Sequence, residues 1–331
     1  MTASATTTSC LPTKRLLFIH TGGTIVMQGR PGPLEPVLED VMSYVRGLEE
    51  LVDVEGVSLC NIDSTDMLPN HWEAMASVVA SRRDEFDGFV VLHGTDTMAY
   101  SASAVSYLLE GLDCPVVFTG SQRPIADLRT DARLNLVHAS ICATLDVPEV
   151  GIYFGDHLFR GNRTTKVSVQ SYSAYASPSL PALVEMGVDV TWPAPCRRPS
   201  GPFRLRSGFA RDVAVLTVFP GMSASTLRRV VDGGAQAVVL RAFGAGNLPL
   251  DGWPQAISEV GVPVIVSTQC LHGAVELGRY AGSKAALDAG ALSAGALTLE
   301  ATLTKAMFLL AQPGVFRAMW ADDLAGEIQP V

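Results

Sequence analysis

The sequence lacks several features that would assign it at once to a common class of protein. No apolar run approaches the roughly 18–20 residues that a membrane-spanning helix needs, and the richest runs, such as residues 213–219, have the length of a strand. Charged residues make up only 17% of the 331 residues and the net charge is −9. This balance excludes a disordered chain. We therefore expect a globular protein with neither a membrane nor a nucleic-acid partner.

Signatures of metal sites and of several hydrolase classes are missing as well. The six cysteines include no Cys-x-x-Cys pair and no two histidines lie four residues apart, so neither a zinc ribbon nor a zincin site is indicated. There is no Gly-x-Ser-x-Gly elbow and no phosphate-binding glycine pattern, which argues against the corresponding serine hydrolases and against a bound cofactor phosphate. We expect no metal and no cofactor, and a hydrolytic nucleophile would be a threonine.

The N-terminal residues 1–13 are predicted to be a disordered tail. They are rich in Ser and Thr and lack the basic, apolar, small order of a signal peptide. The few cysteines do not suggest a disulfide framework. We expect a cytoplasmic protein with reduced thiols.

The rest of the chain alternates short apolar runs rich in Val, Ile and Phe with longer amphipathic segments. Continuously apolar strands, such as residues 88–92, suit a parallel sheet that is covered on both faces. Apolar residues at three- and four-residue spacing predict a helix over residues 38–50. The pattern predicts an α/β fold: a large, doubly wound N-terminal domain with a mostly parallel sheet, and a smaller C-terminal α/β domain.

A segment rich in proline and arginine interrupts this alternation. Because 331 residues exceed one ordinary core, we place an N-terminal catalytic domain at 14–195, a linker at 196–211 and a C-terminal domain at 212–331. Five arginines lie in the linker. In an acidic protein they indicate a solvated loop rather than a nucleic-acid patch.

Ligands bind to open α/β sheets beyond the carboxyl ends of the strands, so the residues that follow each strand are the first candidates for a site. Residues 20–24, His-Thr-Gly-Gly-Thr, follow the first strand, and their glycines allow a tight turn beside a ligand. Residues 93–97, His-Gly-Thr-Asp-Thr, follow the strand at 88–92. There Asp96 could bind an ammonium group or belong to a helix cap, a role that Thr97 fits.

Two further segments carry groups suited to the same chemistry. Residues 63–66, Asp-Ser-Thr-Asp, could hold a carboxylate or form an ordinary Asx turn. Lys166 ends the run Gly-Asn-Arg-Thr-Thr-Lys, and a lysine among hydroxyls can lower the pKa of one of them. A single lysine is otherwise most often a surface charge.

Taken together, these motifs resemble the bacterial L-asparaginase family. The resemblance rests on residues 21–25 and 87–100 and on further segments along the chain, namely 119–122, 160–166, 176–178, 244–247 and 300–305. It covers nearly the whole chain. The Gly-Asn-Arg-Thr-Thr-Lys form and the missing signal peptide resemble the cytoplasmic type I branch.

The resemblance implies hydrolysis of the side-chain amide of L-asparagine to L-aspartate and ammonia, without a cofactor. It makes Thr24 the nucleophile and Thr95 a second catalytic threonine, linked to Lys166, which raises the reactivity of its hydroxyl. Asp96 would bind the ammonium group of the substrate. The backbone N–H of Thr95 is a candidate oxyanion donor.

The resemblance also implies how the substrate and the subunits are held. Ser64, with Thr65 beside it, would bind the α-carboxylate of the substrate. Asn247 resembles the residue that a partner subunit contributes, so we expect a homodimer or homotetramer with its active site at the subunit junction. Type I relatives can carry a second, regulatory asparagine site, and its candidates are the three residues Thr165, Arg241 and Cys270.

The loop after the Gly-Gly-Thr turn departs from the family pattern. The family usually has a tyrosine there, close to the nucleophile, whereas residues 27–36 contain none and Leu34 or Glu35 stands near the expected place. We hypothesise that Lys166, Glu35 or a group of the partner subunit such as Glu276 helps to deprotonate the nucleophile. Unchanged rates in both Glu35→Gln and Glu276→Gln variants would reject the two carboxylates.

Two other interpretations stay open. The altered loop would suit an amidohydrolase that acts on glutamine or on a modified asparagine. The missing tyrosine would also suit a non-catalytic amino-acid-binding or sensor protein that kept the pocket and lost turnover. Ammonia release from asparagine or from glutamine would identify the substrate amide. If neither amide released ammonia, calorimetry with asparagine would separate the remaining interpretations.

Overall fold

The structure is a computed structural model that describes residues 13–26 and 38–328. The loop at 27–36, with Leu34 and Glu35, lies outside the described residues, and so does the predicted disordered tail up to residue 12.

The described residues form sixteen strands, most of which belong to two sheets. They are β1 (Lys14–Gly22), β2 (Val52–Ile62), β3 (Gly88–Leu92), β4 (Leu109–Glu110), β5 (Val116–Thr119), β6 (Val150–Phe154), β7 (His157–Arg160), β8 (Thr165–Lys166), β9 (Tyr175–Ala176), β10 (Val184–Met186), β11 (Val190–Thr191), β12 (Arg204–Leu205), β13 (Val213–Thr217), β14 (Ala237–Ala242), β15 (Val264–Thr268) and β16 (Leu292–Ser293).

Helices cover these sheets. They are α1 (Leu38–Ser43), α2 (Pro69–Arg82), α3 (Met98–Leu108), α4 (Ala132–Cys142), α5 (Ser225–Asp232), α6 (Trp253–Glu259), α7 (Ala281–Asp288), α8 (Leu299–Leu310) and α9 (Phe316–Met319). Among the described residues, no helix combines the length and the apolar character that a membrane crossing requires.

The larger sheet has eight strands in the order β11-β10-β7-β6-β5-β3-β1-β2. The five strands from β6 to β2 run parallel, and β7, β10 and β11 extend the sheet in antiparallel fashion. Both faces are covered, because Leu17 and Ile19 of β1 enter one apolar core while Leu16 and Phe18 enter another. Such alternation of side chains follows from the strand geometry.

The smaller sheet consists of four parallel strands in the order β13-β14-β15-β16. One of its faces forms a separate core around Trp253. The other face joins the core of the larger sheet through α8, where the rings of Phe308 and of Tyr107 in α3 stack with their centroids 6.0 Å apart. The predicted fold class, a large mostly parallel α/β unit with a smaller C-terminal α/β unit, is confirmed.

The helix predicted over residues 38–50 is wrong in its length. The structure forms only α1, and a short 3₁₀ turn follows at Leu48–Glu50. Gly47, which precedes that turn, has a φ of 93°, and this left-handed conformation cannot continue an α-helix. Val41, Val45 and Leu48 are nevertheless buried, whereas Tyr44 is exposed, so the spacing predicted most of the burial but not the regular structure.

The arginines of the linker bind neighbouring carboxylates. The guanidinium of Arg198 lies 2.6 Å from Asp146, and that of Arg206 lies 2.7 Å from Glu110. The short strand β12 pairs with β4 at the end of α3. These ion pairs and this strand pairing hold the linker against the larger unit.

Candidate active site

The carboxyl ends of β2, β1 and β3 lie side by side at one edge of the larger sheet. Their turns approach so closely that a Cβ on Gly23 would lie 2.5 Å from the Cα atom of Gly94, and a Cβ on Gly94 would lie 2.7 Å from the Oγ atom of Ser64. Only glycine fits at either position. The turns that carry Thr24, Thr95 and Ser64 are therefore packed directly on one another.

Buried polar groups form the floor under these turns. The hydroxyl of Thr21 donates to the carbonyl of Leu92 over 2.9 Å and ties the end of β1 to the end of β3. The Nδ1 atom of His93 lies 2.7 Å from the carbonyl oxygen of Gly94. Because burial lowers the pKa of His93 to about 4, the ring is neutral at pH 7 and its Nδ1–H is the donor.

Lys166 reaches the residues that follow β3. Its Nζ atom lies 2.8 Å from the Oγ1 atom of Thr95 and 2.6 Å from Oδ1 of Asp96. Thr95 is buried, whereas the side chain of Asp96 is 61% exposed and that of Lys166 only 17%. The amine thus approaches the hydroxyl from the protein side, and the carboxylate faces outward, where a ligand can reach it.

Tyr175 and Gln122 complete the surroundings of Thr95, although sequence reasoning assigned them no role. Lys166 pairs with Tyr175 across β8 and β9, and the Tyr175 hydroxyl donates to the carbonyl of Thr95. Burial raises the pKa of Tyr175 well above its ordinary value, so it stays a neutral donor. The Oε1 atom of Gln122 lies 3.5 Å from the Thr95 hydroxyl. Gln122 lies in the motif at 119–122 and Tyr175 directly precedes the motif at 176–178. The family resemblance was therefore the signal that could have pointed to both residues.

The turn after β2 is organised by its own hydrogen bonds. Asp63 accepts both from the backbone N–H and from the hydroxyl of Thr65, each over 2.9 Å. Ser64 is buried against Gly94. The hydroxyl of Thr97 donates to the carbonyl of Ser64 over 2.6 Å and makes no cap hydrogen bond at the start of α3, so the prediction that it caps this helix through its side chain is wrong.

Two candidates lie with the C-terminal unit instead of at these strand ends. Asn247 follows β14, exchanges backbone hydrogen bonds with Phe243 and packs its side-chain oxygen against Gly282. Glu276 forms an ion pair with Arg279 at 3.1 Å. Their proposed contribution therefore depends on a second subunit.

The three candidate regulatory residues line one cavity. Thr165, Arg241 and Cys270 surround a space of about 180 Å³, together with Glu300 and residues of β15 and its following turn. The hydroxyl of Thr165 donates to Glu300 over 2.7 Å. Sequence reasoning quoted Glu300 within a motif but assigned it no role.

Several polar groups of this cavity are buried without a hydrogen-bond partner among the described residues. They are Nε of Arg241, Nη2 of Arg163 and Oε2 of Glu300. Burial raises the pKa of Glu300, and the hydroxyl of Thr165 opposes that shift. Buried polar groups are normally satisfied, so this cavity offers cationic donors and a carboxyl group to a ligand that carries both charges.

Comparisons with known proteins agree with this architecture. Two family models match, "Asparaginase, N-terminal" over residues 15–196 and "Glutaminase/Asparaginase C-terminal domain" over residues 212–318. The chain is 37% identical to L-asparaginase 1 of Escherichia coli (strain K12), over 96% of this chain and 98% of that protein.

Solved structures show the same likeness in three dimensions. The thermostable L-asparaginase from Thermococcus kodakarensis superposes with a TM-score of 0.91 at 32% identity, over 96% of this chain and all of that chain. L-asparaginase I from Vibrio cholerae superposes with a TM-score of 0.88 at 35% identity and the same coverage.

The fold and the site define an α/β enzyme in which a lysine contacts the threonine and the aspartate that follow a parallel strand. The family models and the full-length relatives then specify the group, and the chain belongs to the asparaginase family.

Proposed function

We propose that this protein hydrolyses L-asparagine to L-aspartate and ammonia, with Thr24 as the nucleophile. The observation that carries the proposal is the placement of Lys166 Nζ 2.8 Å from the hydroxyl of Thr95, on a turn that is packed through Gly94 and Gly23 against the turn of Thr24. Thr24 and the Thr95–Lys166 pair thus lie on neighbouring turns at the same end of the sheet.

The substrate is a zwitterion, so its two charges can be used to place its amide. Asp96 accepts from the ammonium group with an exposed carboxylate, and the turn of Ser64 and Thr65 receives the α-carboxylate. Such positioning can lower a barrier by about 7–11 kcal/mol at best. An oxyanion donor, for which the backbone N–H of Thr95 is the candidate, contributes roughly 3–4 kcal/mol more.

The reaction proceeds in two displacements. The Thr24 oxygen attacks the amide carbon and its proton passes to the leaving nitrogen. The C–N bond then breaks, so that ammonia departs and an ester of Thr24 remains. Thr95 and Lys166 then direct a water molecule onto the ester, which releases aspartate and restores the hydroxyl. A hydroxyl bound to an ammonium donor gives up its proton more readily.

Ammonia release by the purified protein tests this proposal. We expect release from L-asparagine by the wild type, a loss of several orders of magnitude in Thr24→Ala, and normal rates in Thr217→Ala, whose side chain is exposed on β13. Release from glutamine alone would point to another amide substrate. Calorimetric binding of asparagine without any ammonia release would identify a sensor protein and overturn the proposal.

We further propose a homodimer or homotetramer with the site at a subunit junction, where the partner subunit contributes Asn247. The likeness to full-length asparaginases supports this arrangement, as does the position of Asn247 in the C-terminal unit. A cytoplasmic location, which the type I resemblance implies, belongs to the same proposal. A monomer by analytical ultracentrifugation at assay concentration would reject the subunit arrangement, and recovery of the protein outside the cytoplasm would reject the location.

The cavity at Thr165, Arg241 and Cys270 is proposed to bind a second asparagine that regulates the enzyme. Its buried arginine donors suit the α-carboxylate of an amino acid, and Glu300 suits the ammonium group. We expect a sigmoidal dependence of rate on asparagine concentration in the wild type and a hyperbolic one in Arg241→Ala. A hyperbolic wild-type curve at all concentrations would remove this proposal.

A further inference from the structure

Residues 322–328 form a strap across the turn that leads to Lys166. Three side chains of that turn donate to three successive carbonyls of the strap. Asn162 donates to the carbonyl of Ala325 over 2.9 Å, Arg160 donates to that of Gly326 over 3.3 Å, and Arg163 donates to that of Glu327. From the linker, Arg197 donates to the two preceding carbonyls, those of residues 323 and 324.

A buried ion pair anchors the strap from below. Lys305 of α8 and Glu327 are both fully buried, with Nζ and Oε1 2.7 Å apart. Lys305 also donates to the carbonyl of Asp322 over 2.7 Å. The Glu327 carboxylate accepts from the backbone N–H groups of Leu324 and Ala325, so the charges are satisfied on both sides, as burial requires.

The turn under the strap is held between the strap and the helix that starts at the site. A Cβ on Gly161 would lie 3.0 Å from the Cβ atom of Ala102 in α3, so this turn is packed closely on that helix. The helix α3 begins at Met98, directly after the segment with Thr95 and Asp96. Lys166 follows the turn by three residues, and on its other side it is held by β9.

The geometry points to the strap as a positioning element for catalysis: residues 322–328, anchored by Glu327, hold the 161–163 turn against α3 and thereby set the distance between Lys166 Nζ and the Thr95 hydroxyl. This inference names no new group that touches the substrate. For its kinetic readout it rests on the proposed function. A displacement of a reacting group by about 1 Å can cost on the order of a hundredfold in rate.

Two variants loosen the strap by different means. Glu327→Gln keeps the size of the side chain but removes the charge facing Lys305 and turns one acceptor of a backbone N–H into a donor. Gly326→Ala keeps every charge. Its Cβ would lie 3.0 Å from Nε of Arg160, at a φ of 85° that favours glycine. The control is Ile257→Ala, which opens the separate core of the smaller sheet.

We expect both strap variants to lower kcat for asparagine about ten- to a hundredfold with KM changed less than threefold, because the strap is hydrogen-bonded to the segment that leads to Lys166 and to Arg197 of the linker. The pH profile of kcat should also shift, since Lys166 no longer sits at its set distance from Thr95. Ile257→Ala should lower the melting temperature and leave kcat and the pH profile unchanged at temperatures where it is folded. Equal kcat losses in all three variants would mean a general stability effect and would overturn the inference.

Hydrogen–deuterium exchange of peptides covering residues 161–166 gives a readout that needs no substrate. Both strap variants should exchange faster there than the wild type, and Ile257→Ala should not. If the wild type released no ammonia, the proposed function would be wrong. Faster exchange in the strap variants would still support the role of the strap in holding the 161–163 turn. If the wild type were active and neither kcat nor exchange changed in the strap variants, the strap inference would be wrong.

Discussion

His93 carries no catalytic role in the proposed reaction, yet it lies directly under the turn that does. Its ring is fully buried beside Phe118 and donates to the carbonyl of Gly94. Because the imidazole is held neutral, a proton can enter it only at the expense of the surrounding packing. The turn that carries Thr95 is therefore supported by the imidazole of His93, whose pKa of about 4 lies within the range of common buffers.

This burial predicts a pH dependence of stability. The folded-state pKa of His93 is about 4 against an ordinary value of 6.5, so between these values the unfolded chain binds a proton that the folded chain does not. The free energy of unfolding should fall by on the order of 3 kcal/mol as the pH drops from about 6.5 to about 4. Urea unfolding at several pH values measures this slope, which should be shallower in His93→Asn.

The matched control is His272→Asn, which replaces an exposed histidine and leaves the buried one in place, so its slope should follow the wild type. If the unfolding free energies of the wild type and His93→Asn changed in parallel over this range, His93 would not be the titrating group.

Individual site residues were predictable to the extent that they follow strands. Thr95 and Asp96 follow β3, and their position at the sheet edge could be read from the sequence. The link between Thr95 and Lys166 came only from the family resemblance, and the contact between Asp96 and Lys166 was not predicted, because 70 residues separate these two in the chain. Glu300, which faces the second cavity from α8, is an ordinary helix residue in sequence, and only the packing of α8 against β8 gives it a polar environment.

At the scale of elements, the edge formed by β2, β1 and β3 depends on the absence of side chains. Two glycines let three turns lie in close contact, because Gly23 meets the backbone of Gly94 and Gly94 meets the side chain of Ser64. No space is left for a side chain at Gly23 or Gly94.

Gly94→Ala should therefore move the turn of Ser64, since the new Cβ would lie 2.7 Å from the Ser64 Oγ atom. We expect a loss of about 1–3 kcal/mol in the free energy of unfolding and at least a tenfold increase in KM for asparagine. Gly201→Ala is the control, because a Cβ there meets no atom within 4 Å. Steady-state kinetics and urea unfolding of both variants test this prediction. A wild-type KM in Gly94→Ala would show that the turn of Ser64 can move without weakening substrate binding.

Long, continuously apolar strands were the best-predicted elements. The strand predicted at residues 88–92 agrees with the structure to the residue, because β-branched and aromatic residues between turns favour a strand. The strands of two to four residues from β7 to β12 carry too few side chains for any period to show. Their pairing with other segments, such as that of β12 with β4, is visible only in the structure.

For the whole molecule, the two units share a core through α8, and in the proposed arrangement the site would be divided between subunits. Thr24 belongs to the larger unit of one protomer, and Asn247 of the partner subunit would complete it. Alternation of strands and helices was enough to predict two α/β units. It could not show that one apolar cluster runs through both, since that depends on which face of α8 each sheet meets.

A divided site predicts complementation between two inactive variants. Thr24→Ala and Asn247→Ala should each be nearly inactive, and a refolded equimolar mixture should regain about a quarter of the wild-type activity, because half of the dimers are mixed and each mixed dimer holds one intact site. Ammonia release before and after mixing measures this. A mixture no more active than its components would place Asn247 in the same subunit as the nucleophile, or outside the site.

The two-residue strand β8 sends the hydroxyl of Thr165 to Glu300 and the amine of Lys166 to Thr95. The cavity and the reaction centre are thus served by neighbouring residues that share one peptide plane. Both side chains belong to the same two-residue strand, so a displacement of β8 would move the group that faces the cavity and the group that faces Thr95 together. We expect substitutions that alter the cavity at Thr165 to occur together with compensating substitutions around Lys166 and Thr95.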